Sequence, residues 1–315
     1  MPDCSVIIRA YNEEEHIGRL LSGLLQQTVR DVEIILVDSG STDATLSIVS
    51  RFPVKVIRIK PEQFTFGRSL NYGCAAATAS FLVFASAHVY PVYPDWLDEM
   101  IKGFDDPAVA LVYGKQRGNR RSRFSEQQQF AKMFPENSDP EQRDPFCNNA
   151  NAAVRRRLWE EHNYDEELSG LEDLEWATWA VEKGYHLYYS AEAEIIHLHD
   201  ESPRKVYNRY LREAMALRTI NPYESFHFFD FVRLYTTNVF SDFRNAIARG
   251  VFGDNFWEIL WFRWMQFWGT YQGFAVSGPV TEKVIQTFYY PRGLERPKPE
   301  TRRDVEPIDY GGEKD

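Results

Sequence analysis

Ser5-Val6-Ile7-Ile8-Arg9-Ala10-Tyr11-Asn12-Glu13-Glu14 and Ile34-Ile35-Leu36-Val37-Asp38-Ser39-Gly40-Ser41-Thr42-Asp43 lie about one βα unit apart near the start of the chain. Each is a short β-branched apolar run that breaks off in polar, turn-forming residues. A continuous apolar run suits a strand covered on both faces, as in a parallel sheet. Polar side chains at the carboxyl ends of such strands line the crevice where open α/β sheets bind ligands. The competing reading is a pair of ordinary strand-to-helix loops, with Ser41 or Thr42 capping a helix.

Outward from these segments, strand and helix patterns alternate to about residue 116. Ile17, Leu20, Leu21 and Leu24 recur at helical spacing after the first strand. Further strands are expected at 33–37, 54–59, 81–86 and 109–113, with helices at 43–51, 67–78 and 96–104 between them. Such alternation predicts a mostly parallel sheet with helices on both faces. Residues 117–145 are rich in Arg, Gln, Glu and Pro and read as a long excursion over the site. Regular structure resumes at 149–162, with a helix at 172–183 and one or two strands at 185–199. Beyond residue 204 the chain turns helical and strongly aromatic, and from 296 on its prolines among charges predict disorder. The expected division is 1–203 as catalytic domain (1–116 the nucleotide half, 117–203 the acceptor half), 204–290 as helical extension and 291–315 as tail.

Composition narrows the function. The 315 residues contain 43% hydrophobic side chains, ample for a core, and carry a net charge of −10, which argues against a nucleic-acid partner. Cys4, Cys74 and Cys147 are odd in number and widely spaced, so neither a disulfide framework nor a zinc site is expected. Met1-Pro2-Asp3 runs straight into a strand, so no cleaved leader is expected, and no stretch reaches the roughly 18 apolar residues of a membrane span. The expected location is cytoplasmic, with association at the inner face of the membrane left open.

Four features in order resemble family 2 glycosyltransferases of the GT-A-type, Rossmann-like fold, nearest to bacterial rhamnosyltransferase-like members. They are Tyr11-Asn12-Glu13-Glu14, Val37-Asp38-Ser39-Gly40-Ser41-Thr42-Asp43, Gly67-Arg68-Ser69-Leu70-Asn71-Tyr72-Gly73 and Gly170-Leu171-Glu172-Asp173. The resemblance covers residues 4 to about 200. It implies an inverting transfer of a sugar, hexose or deoxyhexose, from a nucleotide-diphosphate sugar to a hydroxyl acceptor on a glycan, glycolipid or small molecule. Tyr11 and Glu13 would flank the base, Asp38 would bond the base or ribose, and Arg68 would approach the nucleotide with Asn71 supporting that turn. Asp173 would be the general base, ionised at neutral pH, with Glu172 orienting the acceptor or the loop. Acids at a helix start also simply complement its dipole, and Arg68 and Asn71 have plain structural alternatives in an ion pair and a cap.

The resemblance also implies a divalent metal, manganese or magnesium, held by an acid after the fourth strand. Ser86-Ala87-His88-Val89-Tyr90-Pro91 stands there, so His88 replaces the acid. Imidazole suits manganese or zinc and substitutes poorly for a hard oxygen ligand of magnesium. His199 resembles a further metal or diphosphate ligand, and His197 and His199 alternate along a strand, sharing a face. Lys115, Arg117 and the 120–123 basic cluster are expected to offer positive charge to the diphosphate. Asn149 and Asn151, before Arg155-Arg156, are expected on the acceptor side. Trp257, Leu260, Trp261, Trp264, Phe267 and Trp268 have helical spacing and suit packing on the catalytic domain, a homodimer, or a peripheral membrane contact. A non-catalytic nucleotide-sugar-binding protein stays open as an alternative. A nucleotidyltransferase is weaker, because no Gly-rich phosphate loop follows the first strand.

Overall fold

A computed structural model describes residues 2–199, 201–275 and 305–310. The chain alternates β1 (Cys4–Ala10), α1 (Ile17–Leu24), β2 (Val32–Asp38), α2 (Thr45–Val49), β3 (Lys55–Arg58), α3 (Phe66–Ala76), β4 (Phe81–Ser86), β5 (Val89–Pro91), α4 (Trp96–Lys102) and β6 (Val109–Arg117). Then follow α5 (Phe124–Met133), β7 (Asp139–Gln142), β8 (Asn151–Arg155), α6 (Arg156–Glu161), α7 (Glu172–Glu182) and β9 (His186–His197). Three long helices close the described chain: α8 (Pro203–Ile220), α9 (Phe228–Ala248) and α10 (Phe252–Phe274).

One sheet runs β3-β2-β1-β4-β8-β6-β9-β5, with β7 also pairing β9. Its first four strands are parallel, with Ile7 opposite both Ile35 and Phe84. Beyond β4 the sheet is mixed, since β8 pairs antiparallel with both β4 and β6 while β6 and β9 run parallel. The central apolar strands are covered on both sides. Val6 and Ile8 join one core cluster with Leu20, Leu21 and Trp96, whereas Ile7 joins another with Leu70, Phe84 and Trp176. Side chains alternate across a strand, so two buried faces require an uninterrupted apolar run. Gly73 lets α3 lie directly on β1, because a Cβ there would come within 2.4 Å of Ile7 Cγ2.

The stretch 117–145 is not a loop. It holds α5 and the short edge strand β7. Ser125, Glu126 and Gln128 of α5 are buried, so the helix packs through polar side chains that leave no apolar periodicity to read. Glu258 of α10 accepts hydrogen bonds from the backbone N–H groups of Phe124 and Ser125, capping the helix. Ser125 Oγ donates to Asp242 (2.8 Å), whose other contact is the fully buried guanidinium of Arg263 (2.8 Å). A polar clamp thus fastens α5 to α9 and α10. Gly269 allows α10 to meet α8 closely, where a Cβ would stand 2.6 Å from the Tyr207 carbonyl.

Most of the expected disordered tail lies outside the described residues. Val305–Tyr310 is described and lies along β5: Ile308 N–H donates to the Val92 carbonyl (2.9 Å), and Tyr310 Oη donates to the Pro91 carbonyl (2.6 Å).

Candidate active site

The carboxyl ends of β1 and β2 carry two loops that hold each other. Thr42 N–H donates to Asn12 Oδ1 (2.8 Å) and Asn12 N–H to Ser41 Oγ (2.9 Å). Glu13 N–H donates to Thr45 Oγ1 (2.7 Å), and Ala44 N–H to Glu14 Oε2 (2.7 Å). Asn12 sits at φ 55°, a left-handed conformation that asparagine tolerates better than most residues. Asp38 is buried at the end of β2 and accepts the backbone N–H groups of Gly40 and Ser41. Tyr11 stands 55% exposed at the rim of the same loops. Tyr11 and Asp38 thus stand on two interlocked loops at neighbouring strand ends.

Glu13 is placed differently from expectation. Its carboxylate faces His88 rather than open crevice, with Oε1 3.0 Å from His88 Nδ1. Arg68 likewise turns away to a neighbour: Nε meets Glu166 at 2.6 Å and Nη1 donates to the Gln63 carbonyl. Asn71 is corrected more fully. Its amide donates to the Tyr164 carbonyl and Glu166, and its oxygen accepts from Tyr164 N–H and Trp159 Nε1. Every polar valence of that side chain ties α3 to the 159–166 segment, so none is left for a nucleotide. Asn151 needs the same correction. It is fully buried, accepts from Trp96 Nε1 (2.9 Å) and donates to the Lys115 and Ala193 carbonyls, a cross-strand tie inside the sheet.

Asp173 opens α7 beside Leu171, a non-glycine residue at φ 59°. Such backbone strain persists only where the surroundings hold it, and it clusters at functional sites. Asp173 is buried; its Oδ2 accepts Asn149 N–H (3.0 Å) and its Oδ1 accepts Leu174 N–H (2.9 Å). Burial first, and the charge of Glu172 second, push its pKa up to about 7. Glu172 pairs with Arg9 Nη1 at 2.8 Å, and Arg9 also donates to the Phe66 carbonyl. The last charged residue of β1 therefore fixes the first turn of α7. Asn149 contributes its backbone to Asp173, while its Nδ2 is buried without a partner.

A cavity of about 90 Å³ joins Asp173 to Cys147, His197, His199, Arg209 and Tyr210. His88, in the turn between β4 and β5, completes a cluster with His197 and His199. One ring nitrogen from each lies within 4.8 Å of the others. Each Nδ1 has its own partner: Glu13 for His88 (3.0 Å), Gln116 for His197 (2.8 Å) and Glu126 for His199 (2.6 Å). With each Nδ1 engaged, Nε2 is the nitrogen each ring has to offer, and His197 Nε2 is buried without a partner. Burial and the neighbouring imidazoles lower the His197 pKa well below the usual range, so its ring is neutral and carries a lone pair. A histidine that donates one nitrogen to a carboxylate or carbonyl and turns the other inward is the usual form of a metal ligand.

Of the basic residues expected over a diphosphate, Lys115, Arg117 and Arg121 pair with acids elsewhere. Lys115 meets Glu136 at 2.5 Å, Arg117 pairs with Glu194, and Arg121 reaches Glu15 at 3.3 Å. A half-buried guanidinium comes instead from α8: Arg209 bridges Glu126 (3.3 Å) and Glu201 (2.7 Å) at the cavity wall. The sequence carries no signal for Glu126, which sits in a polar helix without apolar periodicity. Arg9 was findable as the single charge interrupting an apolar strand immediately before a ligand-type loop.

The profile of glycosyl transferase family 2 matches residues 5–162. The chain is 27% identical over 235 residues to the O-antigen chain rhamnosyltransferase WbaN of Salmonella anatum, covering 71% of this chain and 74% of that protein. It is 27% identical over 222 residues to the O-antigen chain rhamnosyltransferase RfbN of Salmonella typhimurium, covering 65% and 69%. Among solved structures, the mannosyltransferase PcManGT from Pyrobaculum calidifontis, in complex with GDP-Man and Mn2+, superposes with TM-score 0.57 at 18% identity, over 91% of this chain and 87% of that one. The S. aureus TarS structure superposes with TM-score 0.52 at 22% identity, over 70% of this chain and 40% of that one. Matched over half its length by the family profile and folded as these enzymes are, the chain belongs to glycosyl transferase family 2 and is a glycosyltransferase.

Proposed function

We propose that the chain transfers a sugar, with inversion at the anomeric carbon, from a nucleotide-diphosphate sugar to a hydroxyl acceptor, with Asp173 as the base. The observation that carries this reading is Asp173 itself. It is a carboxylate buried at a strained helix start, on the wall of the cavity, with its pKa raised to about 7. A base is most effective when its pKa lies near the working pH. Asp173 takes the acceptor proton as the acceptor oxygen bonds to the anomeric carbon. The bond from that carbon to the diphosphate oxygen breaks, and its electron pair leaves with the nucleotide. Glu172, neutralised by Arg9, keeps the helix start in register with the β1 loop. Asp38 offers its remaining acceptor capacity to the base or ribose, and Tyr11 offers a ring face beside it.

The histidine cluster suits a divalent transition metal. Three imidazoles, each with a carboxylate or amide partner on Nδ1, favour manganese or zinc over magnesium, which prefers oxygen. His88, His197 and His199 would hold the ion, and it would supply positive charge to the leaving diphosphate. The two Salmonella relatives, named as O-antigen chain rhamnosyltransferases, support a deoxyhexose donor and a growing envelope glycan as acceptor. The PcManGT structure, a complex with GDP-Man and Mn2+, supports a metal-assisted nucleotide-sugar site.

The test is a panel of nucleotide sugars assayed for binding, hydrolysis and transfer, with chelator and with added manganese. One donor should bind and turn over, and Asp173→Asn should lower kcat about 10²–10⁴-fold while donor affinity is kept. No binding to any nucleotide sugar sinks the proposal; binding without turnover leaves a nucleotide-sugar-binding protein in its place.

A further inference from the structure

Large apolar side chains exposed on the catalytic domain are scattered: Tyr11, Leu25, Val56, Phe64 and Tyr72. On the helical extension they are ordered. Phe229, Phe240 and Ile247 of α9 are 85%, 74% and 63% exposed. Their spacings of 11 and 7 residues are close to three and two whole helical turns, so they form one line along the outer side of α9. Arg233 and Arg244 are exposed beside that line, and Arg249 is exposed at its end. Of the two carboxylates of α9, Asp230 is half-buried at the helix start, where it accepts His227 N–H and pairs with Arg233 at 3.3 Å, and Asp242 is fully buried against Arg263. Arg244 and Arg249 stand outside both pairs.

The seam with α10 extends the same surface. Trp264, 41% exposed, packs edge-on against Phe231 and Tyr235 at 5.2 and 5.5 Å. Trp257, 75% exposed, leans on Phe256, which stacks on Phe243. Asp254, at the first turn of α10, is the exposed acid nearest Trp257 in sequence. In a chain of net charge −10, a face of aromatic rings and arginines is local charge segregation. Phenylalanine and tryptophan at headgroup depth with arginine at the phosphates is the composition of a helix lying in a membrane surface. No helix among the described residues is long and apolar enough to cross a membrane, so the contact is in-plane.

We propose that the outer face of α9, with Trp257 and Trp264 of α10, seats the protein on an anionic lipid bilayer. The occupant follows from charge: Arg244 of α9 and Arg249 just past its end are exposed and lie outside that helix's ion pairs, and with Arg233, paired on one side with Asp230, they complement anionic headgroups. The expectation from sequence centred on α10, yet Phe267 of that helix is buried and Trp261 and Trp268 are half-covered. The larger exposed line belongs to α9. This inference goes beyond sugar transfer and stands whether or not Asp173 is the base.

Full-length protein is floated with vesicles of phosphatidylcholine alone and with added phosphatidylglycerol. Binding should need the anionic lipid and weaken with salt. The double variant Phe229→Ser/Phe240→Ser should lose at least about tenfold in vesicle partitioning, and Arg233→Gln/Arg244→Gln should lose the preference for anionic lipid. Thermal unfolding checks that each variant folds, and single Phe240→Ser replaces the double where it does not. Absence of flotation overturns the proposal, as does flotation indifferent to these substitutions. A dimer by light scattering that the serine variants dissociate, with no vesicle binding, also overturns it and assigns the face to a second copy of the chain.

Discussion

The parallel half of the sheet and the half that meets the helical extension are built on different interiors. Around β1, β2 and β4 the interior is apolar: Val6, Ile7, Ile8, Ile35, Leu36 and Phe84 are all fully buried. Between α5, α9 and α10 an apolar cluster of Phe124, Val239, Ala246 and Ile259 is joined by a buried polar one of Ser125, Glu126, Asp242, Arg263 and Gln266. An apolar interior tolerates approximate fit, because its attraction has no direction. A polar interior holds only if each partner is in place, because an unpaired buried charge is costly. The site draws on both. The donor loops rise from the apolar half, whereas the histidine pocket takes Glu126 and Arg209 from the polar one.

Breaking the polar interior should therefore cost most. Arg263→Met strands the Asp242 carboxylate and should destabilise the protein by about 3–5 kcal/mol in urea unfolding. By contrast, Ile7→Val in the apolar half should cost only about 0.5–1.5 kcal/mol. A loss of equal size at both positions would erase the contrast.

Next comes the link from that interior to the pocket. Glu126→Gln removes the carboxylate that orients His199, and manganese affinity measured by calorimetry should fall about 10–100-fold. His197→Ala should fall at least as far. Unchanged affinity in both would remove the metal assignment.

The pH profile sharpens the role of Asp173. Its pKa is raised to about 7, and a base must be deprotonated, so kcat should rise with pH through a limb centred near 7. Glu172→Gln removes one of the charges that raise it, so the limb should move to lower pH. The sign for stability is opposite. A carboxyl whose folded pKa exceeds its unfolded value stabilises the fold below about pH 4, and that contribution is lost as pH rises through about 7. Asp173→Asn should flatten this dependence in thermal unfolding.

The smallest effect is expected at the donor loops. Asn12→Ala deletes the acceptor of the Thr42 N–H bond and places alanine at positive φ, which should cost about 1 kcal/mol. Donor KM should rise while kcat stays. A fall in kcat alone would mean that these loops serve the chemistry rather than the donor.

The amino-acid sequence by itself determined the parallel half, the order of the strands' loops and the helix that carries Glu172-Asp173. Those features are written in local periodicity and in turn residues that act on their immediate neighbours. It also placed His88 and His199 as candidates, since a histidine in an acid's position is visible without coordinates. Only the tertiary structure decided which polar residues face the cavity and which are tied into the frame. Asn71 and Asn151 read as site residues and are frame; Glu126, unmarked in the sequence, joins the cavity wall. The physical reason is that a polar side chain has no intrinsic side to face. Its direction is set by whichever donors and acceptors the fold brings within hydrogen-bonding reach, from residues as far apart as Glu126 and His199.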